Sequence, residues 1–352
     1  MDRALGCLLG VAVGDAAGAT LENCQETEVT VAAAELAMCM LGSQRPKLGA
    51  GQVTDDSELT ISLARGLLGH RPSAGFPFES IAQQHAAWHA AGAFAGGQTC
   101  QIAFSTPRTP DRGKWMKDGE GQGSRKASPL AMRMQARAHR WCGDSKANGA
   151  LMRITPLAIW GHRLTPSRIA TDAALDASLS HPNPTCAHAS AAYAIAVALL
   201  VANPGDAAGA LAAAITWASE HADEEVQEWL LRDSQQPPEA LDCLSHAGFV
   251  RHAFTLAFIH LRRQTAFESA ICQTLCCGGD CDTNAAIVGG MMGALHGSAA
   301  VPAYMSGPVL AYESRQDQGG GTWRPPELRA AVLPDLARQL YELALADGSG
   351  TA

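Results

Sequence analysis

The sequence predicts an all-α protein, and three observations carry that prediction. Alanine, the best helix former, is abundant, and β-branched residues are not gathered into alternating runs. Apolar residues recur with helical periodicity along most of the chain. Aromatics make up only 5% of the residues while glycine is frequent, so the helices must meet through small side chains. Charged residues stand at 17%, below the usual quarter, and apolar residues at 47%, which implies a large interior relative to the surface.

The first element, over 4–18, carries Gly6, Gly10, Gly14 and Gly18 at every fourth position. A glycine inside a helix costs roughly 1 kcal/mol relative to alanine. Four on one face therefore imply the close approach of another backbone. A second stripe, Gly289, Gly293 and Gly297, lies in a helix expected over 284–297. The two glycine-faced helices are expected in the core, close to each other or to the functional site. Asp15 and the short apolar run exclude the membrane version of this pattern.

Between and beyond them, helices are expected over 58–68, 78–91, 128–140, 166–178, 186–201, 207–219, 248–261, 267–275 and 327–345. Ser57, Ser167 after Pro166, and Asn183 before Pro184 offer capping chemistry. Residues 95–127, rich in Gly, Pro and polar residues, read as a long loop, and 220–242 as an acidic, solvated excursion. Gly319-Gly320-Gly321 reads as a flexible turn. No linker or fixed-period repeat divides the chain, so 1–352 is read as a single domain, monomeric.

From Arg108 to Lys146, ten basic residues stand against four acidic ones, in a chain of net charge −8. The first reading of that segment is solvated surface, and the second is attraction of an anionic substrate such as a diphosphate. The overall negative charge argues against nucleic-acid binding. No run of 18 apolar residues is free of charge, and Met1-Asp2-Arg3 makes a poor signal peptide, so no membrane association is expected. Eleven cysteines without a repeated spacing suit reduced thiols in a cytoplasmic protein better than disulfides or zinc.

Two acidic motifs carry the chemistry. Thr54-Asp55-Asp56-Ser57 sets two carboxylates side by side just before a helix. They repel unless cations or protons offset them, and a helix N-terminus offsets part of that charge. Taken alone, the motif reads as a helix cap. In Gly278-Gly279-Asp280-Cys281-Asp282-Thr283-Asn284, the Asp-x-Asp spacing lets both carboxylates reach one point. An EF-hand loop is excluded, because Ala285 replaces its glycine and Met291 its bidentate glutamate. Together the motifs supply four carboxylates and two threonine hydroxyls, an oxygen-only set suited to Mg²⁺ or Mn²⁺. Two ions about 3.5–4 Å apart could share such a set.

With these residues in view, the chain resembles the ADP-ribosylglycohydrolase family. The resemblance runs in order through Gly6-Cys7-Leu8-Leu9-Gly10-Val11-Ala12-Val13-Gly14-Asp15-Ala16-Ala17-Gly18-Ala19-Thr20-Leu21-Glu22, then Thr54-Asp55-Asp56-Ser57. It continues through Asn148-Gly149-Ala150-Leu151-Met152-Arg153, Pro156-Leu157 and Ser180-His181-Pro182 to Gly278-Gly279-Asp280-Cys281-Asp282-Thr283-Asn284-Ala285-Ala286. It implies a compact orthogonal multi-helix fold with two Mg²⁺ or Mn²⁺ ions in a cleft. The implied ligands are Thr54, Asp55, Asp56, Asp280, Asp282 and Thr283, with Glu22, Asp55, Asp56 and Asp282 as the catalytic set. Glu22, Gly97, Ser145, Asn148, Gly149 and His181 would contact the substrate. The implied activity is hydrolysis of the bond between ADP-ribose and a modified side chain, arginine ahead of serine, or a small acceptor. The implied partner is thus an ADP-ribosylated protein or an ADP-ribose conjugate. The alternative is a catalytically silent ADP-ribose-binding or partner-binding descendant. Two departures matter. Ser57 stands where the family usually has Thr, and Ala95, in Ala93-Phe94-Ala95-Gly96-Gly97-Gln98-Thr99, stands where many arginine-directed relatives carry an Asp.

Overall fold

Helices account for nearly all the regular structure. The computed structural model describes residues 1–22, 24, 29–44, 47–106, 128–313 and 321–348. Among them are sixteen α-helices. The first five are α1 (Asp2–Gly18), α2 (Val31–Met38), α3 (Asp55–Leu67), α4 (Phe78–Ala90) and α5 (Gln98–Phe104). Then come α6 (Leu130–Cys142), α7 (Thr155–Trp160), α8 (Pro166–Ser178), α9 (Pro184–Ala202), α10 (Ala207–His221) and α11 (Glu224–Leu231). The last five are α12 (Val250–Arg263), α13 (Phe267–Cys276), α14 (Cys281–His296), α15 (Ala303–Ala311) and α16 (Leu333–Gly348). The one sheet among the described residues is a two-residue antiparallel pair, β1 (Ser43–Gln44) and β2 (Lys47–Leu48), with Ser43 opposite Leu48.

The glycine stripes set the centre of the molecule. Gly6 lies against Gly293, Gly10 against Gly289, Gly14 against Ala285, and Gly18 against Cys281. As one number rises the other falls, so α1 and α14 run antiparallel. A methyl group at any of these four α1 glycines would overlap backbone atoms of α14. The expected meeting of the two stripes is observed, and it sets the end of α1 beside the start of α14.

Among the described residues one helix, α9, is long and apolar enough to cross a membrane, with mean hydropathy 1.7, an exception to the expectation that none would be. Its apolar window is 78% buried inside the protein. A helix apolar all round needs neighbours all round, and α9 has them in α7, α8, α10 and α14.

Several expectations need correction. The proposed loop at 95–127 contains α5, which buries Cys100, Ala103 and Phe104 at helical spacing, while 107–127 lie outside the described residues. The excursion at 220–242 contains α11, capped by Asp223 and burying Val226, Trp229 and Leu230. Helix α8 is capped by Thr165, not Ser167, whereas Asn183 caps α9 as expected. Ser57 does not cap α3, whose N-cap residue is Thr54. The basic stretch is described only at Arg133, Arg137, Arg140 and Lys146, and of the expected turn only Gly321 is described.

Candidate active site

Each acidic motif opens a helix, and each is held there by a specific local device. Thr54 has extended backbone (φ −112°, ψ −158°), and its side chain accepts no backbone N–H of its own helix, its hydroxyl donating to Asp56 Oδ2 at 3.2 Å instead. Asp15, one turn before the end of α1, caps α3 instead. Its carboxylate accepts from Thr54 N (3.0 Å to each oxygen), Thr54 Oγ1 (2.8 Å), Ser57 N (3.0 Å) and Ser57 Oγ (2.5 Å). At the second motif the chain leaves α13 through Gly278 (φ +69°) and Gly279 (φ +76°). Only glycine enters this left-handed turn freely, and a side chain at Gly279 would also overlap the Cys243 carbonyl. The turn puts Asp280 at the N-cap of α14 and Asp282 in its first turn, where the helix dipole favours negative charge.

The fold brings the two motifs together. Burial, followed by the charges of Asp15 and Asp280, holds the Asp55 carboxyl well above its ordinary range. Asp56 is raised by burial and then by Asp15, Asp55 and Asp280, and Asp282 by burial and then by Asp280, Asp56 and Glu22. The charges pressing hardest on these three groups are therefore other carboxylates. Such crowding stores electrostatic energy that a cation would release. The Thr283 hydroxyl donates to the Asp56 carboxylate, whose Oδ1 is buried without a hydrogen-bond partner. An orphaned carboxylate oxygen among crowded carboxylates fits a hard divalent ion, and the donor set holds only oxygen. Among the described residues, no three of His, Cys, Asp and Glu stand close enough together to chelate one ion by themselves.

Asp55, Asp280 and Asp282 open into a cavity of about 190 Å³. Of the residues singled out from sequence, Glu22, Asp55, Gly97, Asn148, Gly149, His181, Asp280, Asp282 and Thr283 line it. Thr54 and Asp56 stand behind that wall, both buried. Ser145 stands outside the lining, with its Oγ 3.3 Å from Thr99 Oγ1. The Gly97 N–H donates to the Asp55 carboxylate, so Gly97 also supports the first motif. Ala95 lines the cavity with φ +56°, a left-handed conformation that costs a non-glycine residue roughly 1–2 kcal/mol.

The far wall is the turn at 148–150. Asn148 Nδ2 donates to Asp280 Oδ2 at 2.8 Å, which ties this turn to the second motif. Hydrogen bonds from Asn148 N to Gly248 O (3.0 Å) and from Val250 N to Lys146 O (2.9 Å) seat it on the segment before α12. Gly149 must lack a side chain, because a methyl group there would meet His181 Cε1 at 2.8 Å and Cys100 Sγ at 3.2 Å. Its carbonyl accepts from Arg153 Nη1 at 2.6 Å, and Arg153 Nε pairs with Asp176 at 3.0 Å, all fully buried. His85 Nε2 approaches the other Asp176 oxygen at 3.5 Å. Burial and then Arg153 push His181 down to about 3, so its imidazole is neutral at pH 7. Beyond the turn a second hollow of about 440 Å³, lined by Lys146, Ala147, His246, Gly248 and Phe249, shares Ala147 and Gly248 with the first.

Asp15, Gln98, Thr99, Cys100, Met152 and Gly248 were not singled out as site residues from sequence. Only the contacts of the folded chain reveal them, although Asp15 and Met152 lie inside quoted motifs and Gln98 and Thr99 close the stretch compared at Ala95.

Known proteins resemble this chain along most of its length. A chain of Rhodospirillum rubrum named ADP-ribosyl-[dinitrogen reductase] glycohydrolase is 27% identical over 303 residues, covering 86% of this chain and 88% of that one. The ADP-ribosylarginine hydrolase of Pseudomonas putida is 24% identical over 307 residues, covering 86% and 72%. A solved structure titled as an ADP-ribosylglycohydrolase-related protein complex shares the fold, with a TM-score of 0.68 at 21% identity over 97% of this chain and 98% of that one. The profile of the ADP-ribosylglycohydrolase family matches residues 1–348, and the chain belongs to that family of glycosyl-bond hydrolases.

Proposed function

We propose that this protein hydrolyses the glycosidic bond joining ADP-ribose to a modified side chain, arginine ahead of serine, or to a small acceptor, using two Mg²⁺ or Mn²⁺ ions. The observation that carries this is the set of crowded carboxylates, Asp55, Asp280 and Asp282, opening into one cavity with Glu22 and the Asn148-Gly149 turn. The names of the two relatives, each a hydrolase of an ADP-ribosylated target, support the substrate class.

Thr54, Asp55, Asp56, Asp280, Asp282 and Thr283 would hold the ions, which when bound polarise ribose hydroxyls and lower the pKa of water. The protein supplies the rest. Glu22, on the cavity wall, takes or gives the proton at the scissile bond. The surrounding carboxylates favour the positive charge that develops on the ribose as its C1′ bond breaks. Backbone N–H groups of the turn at 148–150 suit a diphosphate. The neutral His181 offers hydrogen bonding without adding charge. The Phe249 hollow gives an apolar face for the adenine base.

The test is a panel of defined ADP-ribose linkages on arginine and serine peptides, assayed for free ADP-ribose with Mg²⁺ or Mn²⁺ present. Release from at least one linkage is expected, with arginine the fastest. Metal and ADP-ribose binding without release from any linkage would replace hydrolysis with a binding role.

A further inference from the structure

We infer that Asp15 is a positioning residue for the metal centre, holding the first acidic motif at a fixed distance from the second. The inference rests on the metal reading above and adds to it a residue outside the ligand set.

Three observations converge. The Asp15 carboxylate is fully buried and accepts five hydrogen-bond contacts, all from Thr54 and Ser57, at 2.5–3.0 Å. It thereby fixes the residues on either side of Asp55 and Asp56. Its own helix is registered against α14 by backbone contact. Gly14, the residue before it, lies on Ala285, and Gly18, one turn later, lies on Cys281 and Asp282. Helix α1 therefore acts as a ruler with one end on the second motif and Asp15 on the first.

The third observation is that a cheaper cap was available. Thr30 and Thr165 cap α2 and α8 with their own side chains, accepting from Ala33 N and Arg168 N. Thr54 has the same chemistry, yet its hydroxyl donates to Asp15. A buried carboxylate is costly to desolvate. Helix capping alone does not require one, whereas this carboxylate also ties the first motif to the helix that packs on α14. Partners behind metal ligands typically change affinity by 10–100-fold when removed.

The test is Mn²⁺ binding by calorimetry on the full chain. Asp15→Asn keeps the volume but turns an amide toward N–H donors, and it should weaken Mn²⁺ by about tenfold or more. At saturating Mn²⁺, its turnover should recover toward wild type, a rescue that a merely unfolded variant would not show. Ser57→Ala removes one bond without touching charge, and it should weaken Mn²⁺ by about threefold, which keeps the inference testable if Asp15→Asn fails to fold. Ile195→Val, in the core of α9, should lower stability and leave Mn²⁺ affinity unchanged. Wild-type affinity in both Asp15→Asn and Ser57→Ala overturns the inference alone. No Mn²⁺ binding by the wild-type protein overturns the metal reading and the inference with it.

Discussion

Gly10→Ala sets two physical effects against each other at the centre of the fold. Alanine is the better helix former by roughly 1 kcal/mol, so propensity alone predicts a more stable protein. The structure predicts the opposite. A methyl group at Gly10 would overlap the Gly289 carbonyl and come within 3.2 Å of the Phe267 ring. Overpacking a core costs about 1–3 kcal/mol when side chains can yield. Here the obstacle is backbone, so α1 and α14 must separate, and the upper end of that range is the minimum. The net expectation is a loss of about 2 kcal/mol or more, close to a 30-fold change in the unfolding equilibrium. Gly307→Ala in α15 is the matched control, because a methyl group there meets nothing within 4 Å. Its propensity gain is opposed by Pro308, which disfavours helix at the preceding residue, so the change should stay within about 1 kcal/mol. Urea unfolding midpoints of the three proteins decide. A Gly10→Ala midpoint at or above that of Gly307→Ala would refute backbone contact as the reason for the stripe.

Other expectations follow from single contacts. Arg153→Met leaves Asp176 buried without its main counter-charge, so thermal unfolding should reveal a loss of about 3–5 kcal/mol. Any folded fraction should show a raised KM, because the Gly149 carbonyl loses its anchor. Burial and then the Arg263 charge push His260 down to about 4, against about 6.5 when unfolded. The folded state binds fewer protons between those values, so this contribution, roughly 3 kcal/mol, is full above pH 6.5 and lost as pH falls toward 4. Urea midpoints of His260→Gln should therefore fall less than wild type between pH 7 and about 4.5, and an unchanged slope would count against the linkage. Ala95→Asp fits the left-handed backbone at 95, which Asp tolerates better than Ala, and returns an acid to the cavity wall. It should raise kcat/KM on arginine-linked ADP-ribose about tenfold while leaving stability within about 1 kcal/mol.

The pairing of α1 with α14 was legible because its cause is local. A glycine every fourth residue has few explanations in a helix, and both stripes carried the pattern. The acidic motifs were legible for a similar reason, since adjacent carboxylates are costly enough to demand a partner. Asp15 was not, because its meaning lies in Thr54 and Ser57, far along the chain. The same limit explains the caps. Ser57 looks like a local cap, but its hydroxyl is drawn to α1. The missed helices α2, α5, α7, α11 and α15 run only six to nine residues, too short for a periodic pattern to stand out. In α5 the buried Cys100, Ala103 and Phe104 follow helical spacing, but three residues between glycines and a polar stretch are weak evidence. The carboxylate neighbours were read from resemblance and composition. Their arrangement around one cavity, with Asn148 reaching Asp280, came only from the fold.

The central claim is that Asp282 and its neighbours hold the ions that drive glycosidic hydrolysis. It is tested most directly by measuring Mn²⁺ binding and ADP-ribose release on the same preparations of wild-type protein and Asp282→Ala. The account predicts that wild type binds Mn²⁺ and releases ADP-ribose from a defined linkage, and that Asp282→Ala loses both while remaining folded. Undiminished release by Asp282→Ala would contradict it.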